Sequence, residues 1–189
     1  LFRLLEKSWR HFFHRQKLPF LVVQLSSLNR PSWPEFRDSQ RRLSAKLPET
    51  WLTVTSDLGD SLDVHYRNKQ PVGERLALQA LHHVSDYHLV SEGPTCIKAR
   101  AVDNLVYLYF ENAHGLQAKG GAVQGFEVAG DDGVYYAAKA EIEGESVIVS
   151  SDKVPNPRAV RYGWQPFTRA NLINSASLPC STFKKKIAL

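Results

Sequence analysis

Residues 51–84, WLTVTSDLGDSLDVHYRNKQPVGERLALQALHHV, constrain the fold most, because the hydrophobic period changes once within them and sharply. Trp51, Leu52, Thr53, Val54 and Thr55 are apolar or β-branched, as a buried strand requires. Val72, Leu76, Ala80 and Val84 then recur every four residues, with Ala77 and Leu81 beside them. That spacing predicts one apolar stripe along a helix, and Pro71 fits only in such a helix's first turn. Between strand and helix lie Asp57, Asp60, Asp63 and His65. In an open α/β sheet, ligands bind at the loops leaving the carboxyl ends of the strands. A histidine at the helix entry, with acids just before it, is placed to serve as a general base held by a carboxylate. Asp and Gly are also ordinary turn and capping residues, so spacing alone does not assign the chemistry.

The flanking sequence sets this segment in a rhythm. Residues 1–14 carry Leu1, Leu4, Leu5, Trp9, Phe12 and Phe13 at helical spacing. Residues 20–25 form a continuous apolar run, FLVVQL, suited to a strand covered on both faces. Ser32, Trp33, Pro34 and Glu35 have the S-x-x-E form of a capping box, opening a helix whose apolar side is Trp33, Phe36, Leu43 and Leu47. The order helix, strand, helix, strand, helix predicts an α/β unit with a parallel sheet. Two buried parallel strands cannot by themselves make such a sheet, so further strands are expected in polypeptide preceding Leu1 or in another chain.

Near residues 85–94 the pattern shifts to short alternating runs. Strands are expected at 104–110, 124–129, 134–142, 146–150 and 159–164, with turns at Asp131-Asp132-Gly133 and Glu143-Gly144-Glu145. This predicts a β-sandwich over residues 91–189, after an α/β portion over residues 1–90. Tyr135, Tyr136, Tyr162 and Trp164 are candidates for stacking on sugar rings, although aromatics at strand spacing are usually core.

Charge is uneven. The first fifty residues and the last thirty-nine each carry a net charge of +6, and residues 101–150 carry −6. Without a nucleic-acid motif the basic ends do not make a nucleic-acid binder, and Lys184-Lys185-Lys186 reads as a solvated tail. No apolar run approaches the ~20 residues of a membrane span. Cys96 and Cys180 show no zinc spacing; one disulfide and two buried thiols fit equally well. No cofactor or metal is implied.

Gly59-Asp60-Ser61-Leu62 spells GDSL, the tetrapeptide that names a hydrolase superfamily and there holds the serine nucleophile. In that superfamily the triad histidine comes from near the domain's other end, whereas His65 lies only four residues from Ser61. The match is therefore read as a decoy. Asp57-Leu58-Gly59-Asp60, Asp63-Val64-His65, Asn68-Lys69 and Val72-Gly73-Glu74-Arg75-Leu76-Ala77 together resemble the histidine block of the sialate O-acetylesterases, which are SGNH-type serine esterases. Gly125-Phe126-Glu127-Val128-Ala129-Gly130, Val154-Pro155-Asn156-Pro157 and Ala159-Val160-Arg161-Tyr162-Gly163-Trp164 extend the resemblance through the chain.

The resemblance implies part of a flavodoxin-like, three-layer SGNH hydrolase sheet, incomplete here, followed by an accessory β-sandwich. It implies hydrolysis of O-acetyl esters on sialic acids, with His65 as general base to a serine and oxyanion donors carried by polypeptide outside these residues. That polypeptide, the missing amino-terminal portion, is the expected partner, and O-acetylated sialic acid or another acetylated glycan the expected substrate. A secreted, periplasmic or lysosomal location is implied. The superfamily usually places its triad acid three residues before the histidine; here that residue is Leu62. Asp63 is favoured for the role, with Asp60 or a backbone carbonyl as alternatives. Tyr66 stands where the family commonly has proline. Two other readings remain open: a non-catalytic carbohydrate-binding or scaffold protein, and an acetyl esterase of plant polysaccharides.

Overall fold

The computed structural model describes residues 1–187. The chain opens with helix α1 (Phe2–Phe12), strand β1 (Phe20–Val23), helix α2 (Trp33–Ser44), strand β2 (Thr50–Thr53) and helix α3 (Gln70–His83). β1 and β2 pair in parallel, Phe20 opposite Thr50 and Val23 opposite Thr53. An isolated parallel bridge between Ser27 and Gly59 prolongs their ladder past the carboxyl ends.

All remaining elements are strands. They are β3 (Thr95–Val102), β4 (Leu105–Glu111), β5 (Gln117–Ala118), β6 (Phe126–Ala129), β7 (Tyr135–Ala137), β8 (Lys139–Glu143), β9 (Ser146–Ser150), β10 (Ala159–Tyr162), β11 (Leu172–Ile173) and β12 (Phe183–Lys186). One four-stranded sheet runs β3-β4-β9-β8 and another β12-β10-β6-β7, all antiparallel; β5 and β11 form a small pair. Residues 134–142 do not form one strand. The run breaks at Ala138, so that Tyr135–Ala137 joins one large sheet and Lys139–Glu143 the other. Val106, Leu108, Val147 and Val149 from one large sheet and Phe126, Val128, Val160, Tyr162 and Phe183 from the other share a single buried cluster. The chain is therefore mixed α/β with several sheets.

Burial is distributed unequally. Among the described residues, the buried hydrophobic side chains before Ser91 comprise Leu28 alone. The side chains buried there are mostly polar: Glu6, Arg10, Gln24, Arg37, Asp38, Thr53 and Gln79 among them. The expected apolar faces are turned outward. Leu4, Leu5, Trp9, Phe12 and Phe13 of the first helical run are exposed, as is Phe36 of α2. α1 is held instead by its polar face: Arg10 pairs with Glu6 and donates from Nη2 to the Leu18 and Pro48 carbonyls at 3.1 and 2.7 Å. The stripe of α3 is only half-buried at Val72, Leu76 and Ala80 and exposed at Ala77, Leu81 and Val84, while Gln79 is buried and donates to the Ser91 carbonyl at 3.0 Å. Nor does the capping box form: Ser32 precedes α2 in a right-handed helical conformation and makes no side-chain cap bond.

The helical and strand-rich parts are joined by buried polar contacts. Arg37, 0% exposed, donates from Nε to Thr182 Oγ1 at 2.9 Å, from Nη1 to the Pro166 carbonyl at 2.9 Å, and from Nη2 to the Gly163 and Gln165 carbonyls at 2.9 and 2.6 Å. With no carboxylate among these partners, burial lowers its pKa from the ordinary arginine value to about 10. Gln24 Nε2 bridges the Arg37 carbonyl and Ser181 Oγ, at 3.1 and 2.7 Å. Lys184, Lys185 and Lys186 are not a free tail. They are the exposed-side end of β12, paired opposite Arg161, Val160 and Ala159. Cys96 and Cys180 are free and buried, and burial pushes the Cys96 thiol up to about 12. Among the described residues no helix is long and apolar enough to cross a membrane.

Candidate active site

The loops leaving β1 and β2 at their carboxyl ends are stitched together. Thr55 Oγ1 donates to the Gln24 carbonyl at 2.5 Å, Ser27 Oγ to the Ser56 carbonyl at 2.6 Å, and the Ser27 N–H to the Leu58 carbonyl at 2.8 Å. Gly59 lies against this seam with φ of +121°, and a Cβ there would stand 2.2 Å from the Ser27 carbonyl oxygen. Only glycine accommodates both that dihedral and that approach. The glycine of the GDSL tetrapeptide is thus accounted for by packing, not by a nucleophile turn. Ser61 accepts an Asn29 N–H at its carbonyl, at 3.1 Å, and its hydroxyl makes no hydrogen bond to His65.

From Gly59 the chain makes two successive aspartate turns. Asp60 Oδ1 accepts the N–H groups of Leu62 and Asp63 at 2.8 and 3.1 Å, and Asp63 Oδ1 accepts the His65 N–H at 2.7 Å. Such bonds are the ordinary local option of a short carboxylate. Those to Asp60 hold its pKa below the usual aspartate value. The three residues singled out from the sequence therefore occupy one exposed loop, but linked through backbone. Asp63 binds the main chain of His65, not its ring. Among the described residues no side chain hydrogen-bonds the His65 imidazole; His65 is exposed, as are Leu62 and Val64 just before it, at 90% and 45%.

A second tier fixes the loop to the helix behind it. Arg75 of α3 grips Asp57 with two bonds of 2.7 Å and also donates to the Val54 carbonyl at 2.8 Å. The pairing orients the start of the loop from inside the helix. Tyr66 lies half-buried with the Lys69 ammonium 3.4 Å from its ring centre. Burial raises the Tyr66 pKa, with Ser26 beside the hydroxyl offsetting part of the effect. Arg75 and Tyr66 were not identifiable from sequence as supports, because neither the eighteen-residue separation of Asp57 and Arg75 nor a lone tyrosine carries a local signal.

Chemically, the loop presents an accessible imidazole two residues from a carboxylate with one oxygen committed to the backbone. Such an imidazole can accept a proton from a nucleophile. Two cavities among the described residues lie elsewhere. A cleft of about 390 Å3 is lined by Glu49, Trp51, Glu92 and Glu111, and a groove of about 570 Å3 by lysines and arginines; His65 borders neither.

No protein-family model and no curated protein matches the chain. A solved structure does: over 95% of its length this chain is 40% identical to a carbohydrate acetylesterase from Xanthomonas citri, with a TM-score of 0.90. The chain spans 43% of that protein. The chain is thus similar, over nearly all of its own length, to less than half of a carbohydrate acetylesterase.

Proposed function

We propose that this chain is the histidine-bearing portion of a serine esterase that removes acetyl groups from carbohydrate. The observation that carries the reading is the 40% identity, over 95% of the chain, to a carbohydrate acetylesterase of which it spans 43%. The position of His65 supports it: the histidine follows the carboxyl end of a parallel strand, where open α/β sheets bind ligands. So does the outward display of Leu4, Trp9, Phe12, Leu62 and Val64, apolar surface that further polypeptide would cover.

In this reading residues 1–90 are the carboxy-terminal half of a three-layer SGNH hydrolase domain, and residues 91–189 an accessory β-sandwich. A serine in the remaining polypeptide attacks the acetyl carbonyl while His65 takes its proton. The alkoxide of the sugar leaves with that proton, and water then cleaves the acetyl-enzyme by the same route in reverse. Asp63 is the preferred partner of the imidazole. One of its oxygens already holds the His65 N–H, and the other is left to pair with the ring after a side-chain rotation. Sialic acid O-acetyl esters are the finer substrate assignment, drawn from the sequence resemblance.

The test is paired. Residues 1–189 alone should not turn over an aryl acetate or an acetylated sugar; turnover lost on Ser61→Ala would transfer the chemistry to the GDSL serine. In the enzyme completed with the remaining polypeptide, His65→Ala should lower kcat by about 10⁴ or more. A near-normal rate removes His65 from the mechanism.

A further inference from the structure

A basic groove runs between the carboxyl-terminal end of α2 and strands β3 and β12. Its volume is about 570 Å3, and Arg42, Lys46, Lys98, Lys184, Lys185 and Lys186 line it with Arg41. Of the acids near it, Asp38 is already occupied, accepting Arg41 at 2.7 Å and Arg42 at 2.9 Å. The groove continues into a second cavity that shares Arg42 and Lys184 and adds Trp164, Glu35 and Asp38. Lys184 lies 5.8 Å from the Trp164 ring centre, so aromatic and cationic surfaces adjoin. This track is not the ester site. α2 leads into the amino-terminal end of β2, whereas His65 follows that strand's carboxyl end, so the groove lies at the opposite end of the parallel pair.

We propose that this groove binds an acidic polysaccharide, one bearing uronate carboxylates at intervals along the chain. Seven cations face two acids along the track, Glu35 and the Asp38 that pairs with Arg41 and Arg42, and the surplus of positive charge concentrates a polyanion. Trp164 at the far end offers a face for a sugar ring, and Glu35 offers an acceptor for hydroxyl groups. A duplex nucleic acid is disfavoured because its bases are already stacked, leaving the Trp164 face without a ring to meet. The groove would tether the protein to an anionic polymer while the ester site works on acetylated residues. The inference does not require the esterase reading: it is settled by binding, and that reading by turnover.

The full chain should bind polygalacturonate in affinity electrophoresis, and binding should weaken about tenfold or more as NaCl rises from about 50 to about 500 mM. The variant Lys46→Glu/Lys98→Glu/Lys186→Glu, at three exposed positions, should lose the interaction while keeping its melting temperature. Should that variant unfold, Lys98→Gln/Lys186→Gln should still weaken binding measurably. No binding by the parent chain, binding that both variants and salt leave unchanged, or tighter binding to duplex DNA than to polygalacturonate would each overturn the proposal.

Discussion

Asp63 and Asp60 occupy chemically similar positions, each with one oxygen committed to backbone N–H groups of the loop, yet they differ in what those bonds hold. Asp63 holds the backbone of His65 itself; Asp60 holds Leu62 and Asp63, shaping the approach. In the esterase proposed above, Asp63→Asn keeps an acceptor for the His65 N–H but removes the charge that would stabilise an imidazolium. It should lower kcat/KM by about 10² to 10⁴, with Asp60→Asn within a few-fold of the parent. A reversed ranking assigns the acid to Asp60. Asp60 also gives the loop a pH dependence. Its folded pKa lies below the unfolded one, so its stabilising bonds are fully present above the ordinary aspartate range and are lost as pH falls through the depressed value. Exchange protection of the Leu62 and Asp63 amides should therefore drop in acid, and Asp60→Asn should remove that response. The clustering of these residues was legible in the sequence because strand, loop and helix are local patterns. The direction of each carboxylate was not, because a backbone N–H two residues away competes with the ring on equal terms.

Among the elements, α2 shows where hydrophobic periodicity misleads. Its spacing points to Trp33, Phe36 and Leu43, but the side chain it buries completely is Arg37, between Thr182 and the carbonyls of Gly163, Gln165 and Pro166. Replacing Arg37 with Met removes four hydrogen bonds and leaves the Gln165 carbonyl without its donor, while Gly163 keeps Thr182 Oγ1 and Pro166 keeps the Leu28 N–H; it should destabilise the chain by about 2 kcal/mol or more in chemical denaturation. A change below about 0.5 kcal/mol would mean that water replaces the guanidinium. The same lesson holds for α1, whose buried residues are Glu6 and Arg10. A helix's apolar stripe marks the face that requires cover; which face meets this chain's own residues depends on partners the local pattern does not contain. The strands were read more closely, since alternation and turn residues are local: 146–150 matches β9, and β10 begins at the expected Ala159. β3, β5, β11 and β12 went unread. β12 contains three consecutive lysines, and β5 and β11 have two residues each, too short for a period to show.

At the scale of the molecule, apolar burial and catalytic promise are segregated. The shared core runs from Cys96 to Ile187, and the histidine loop stands on a two-stranded sheet with almost no buried apolar side chain of its own. Residues 91–187 expressed alone should therefore melt cooperatively, whereas residues 1–90 alone should show no cooperative transition by circular dichroism. Cooperative melting of the shorter amino-terminal piece would show that its polar interior suffices. The seam between the two parts adds a different consequence. Arg37 grips mainly peptide oxygens, and Ser27 Oγ receives the peptide N–H of Thr168 at 3.2 Å. A joint that recognises main chain is indifferent to most identities at Gln165 and Pro166, so a saturation library should tolerate wide variation at these two positions and almost none at Arg37.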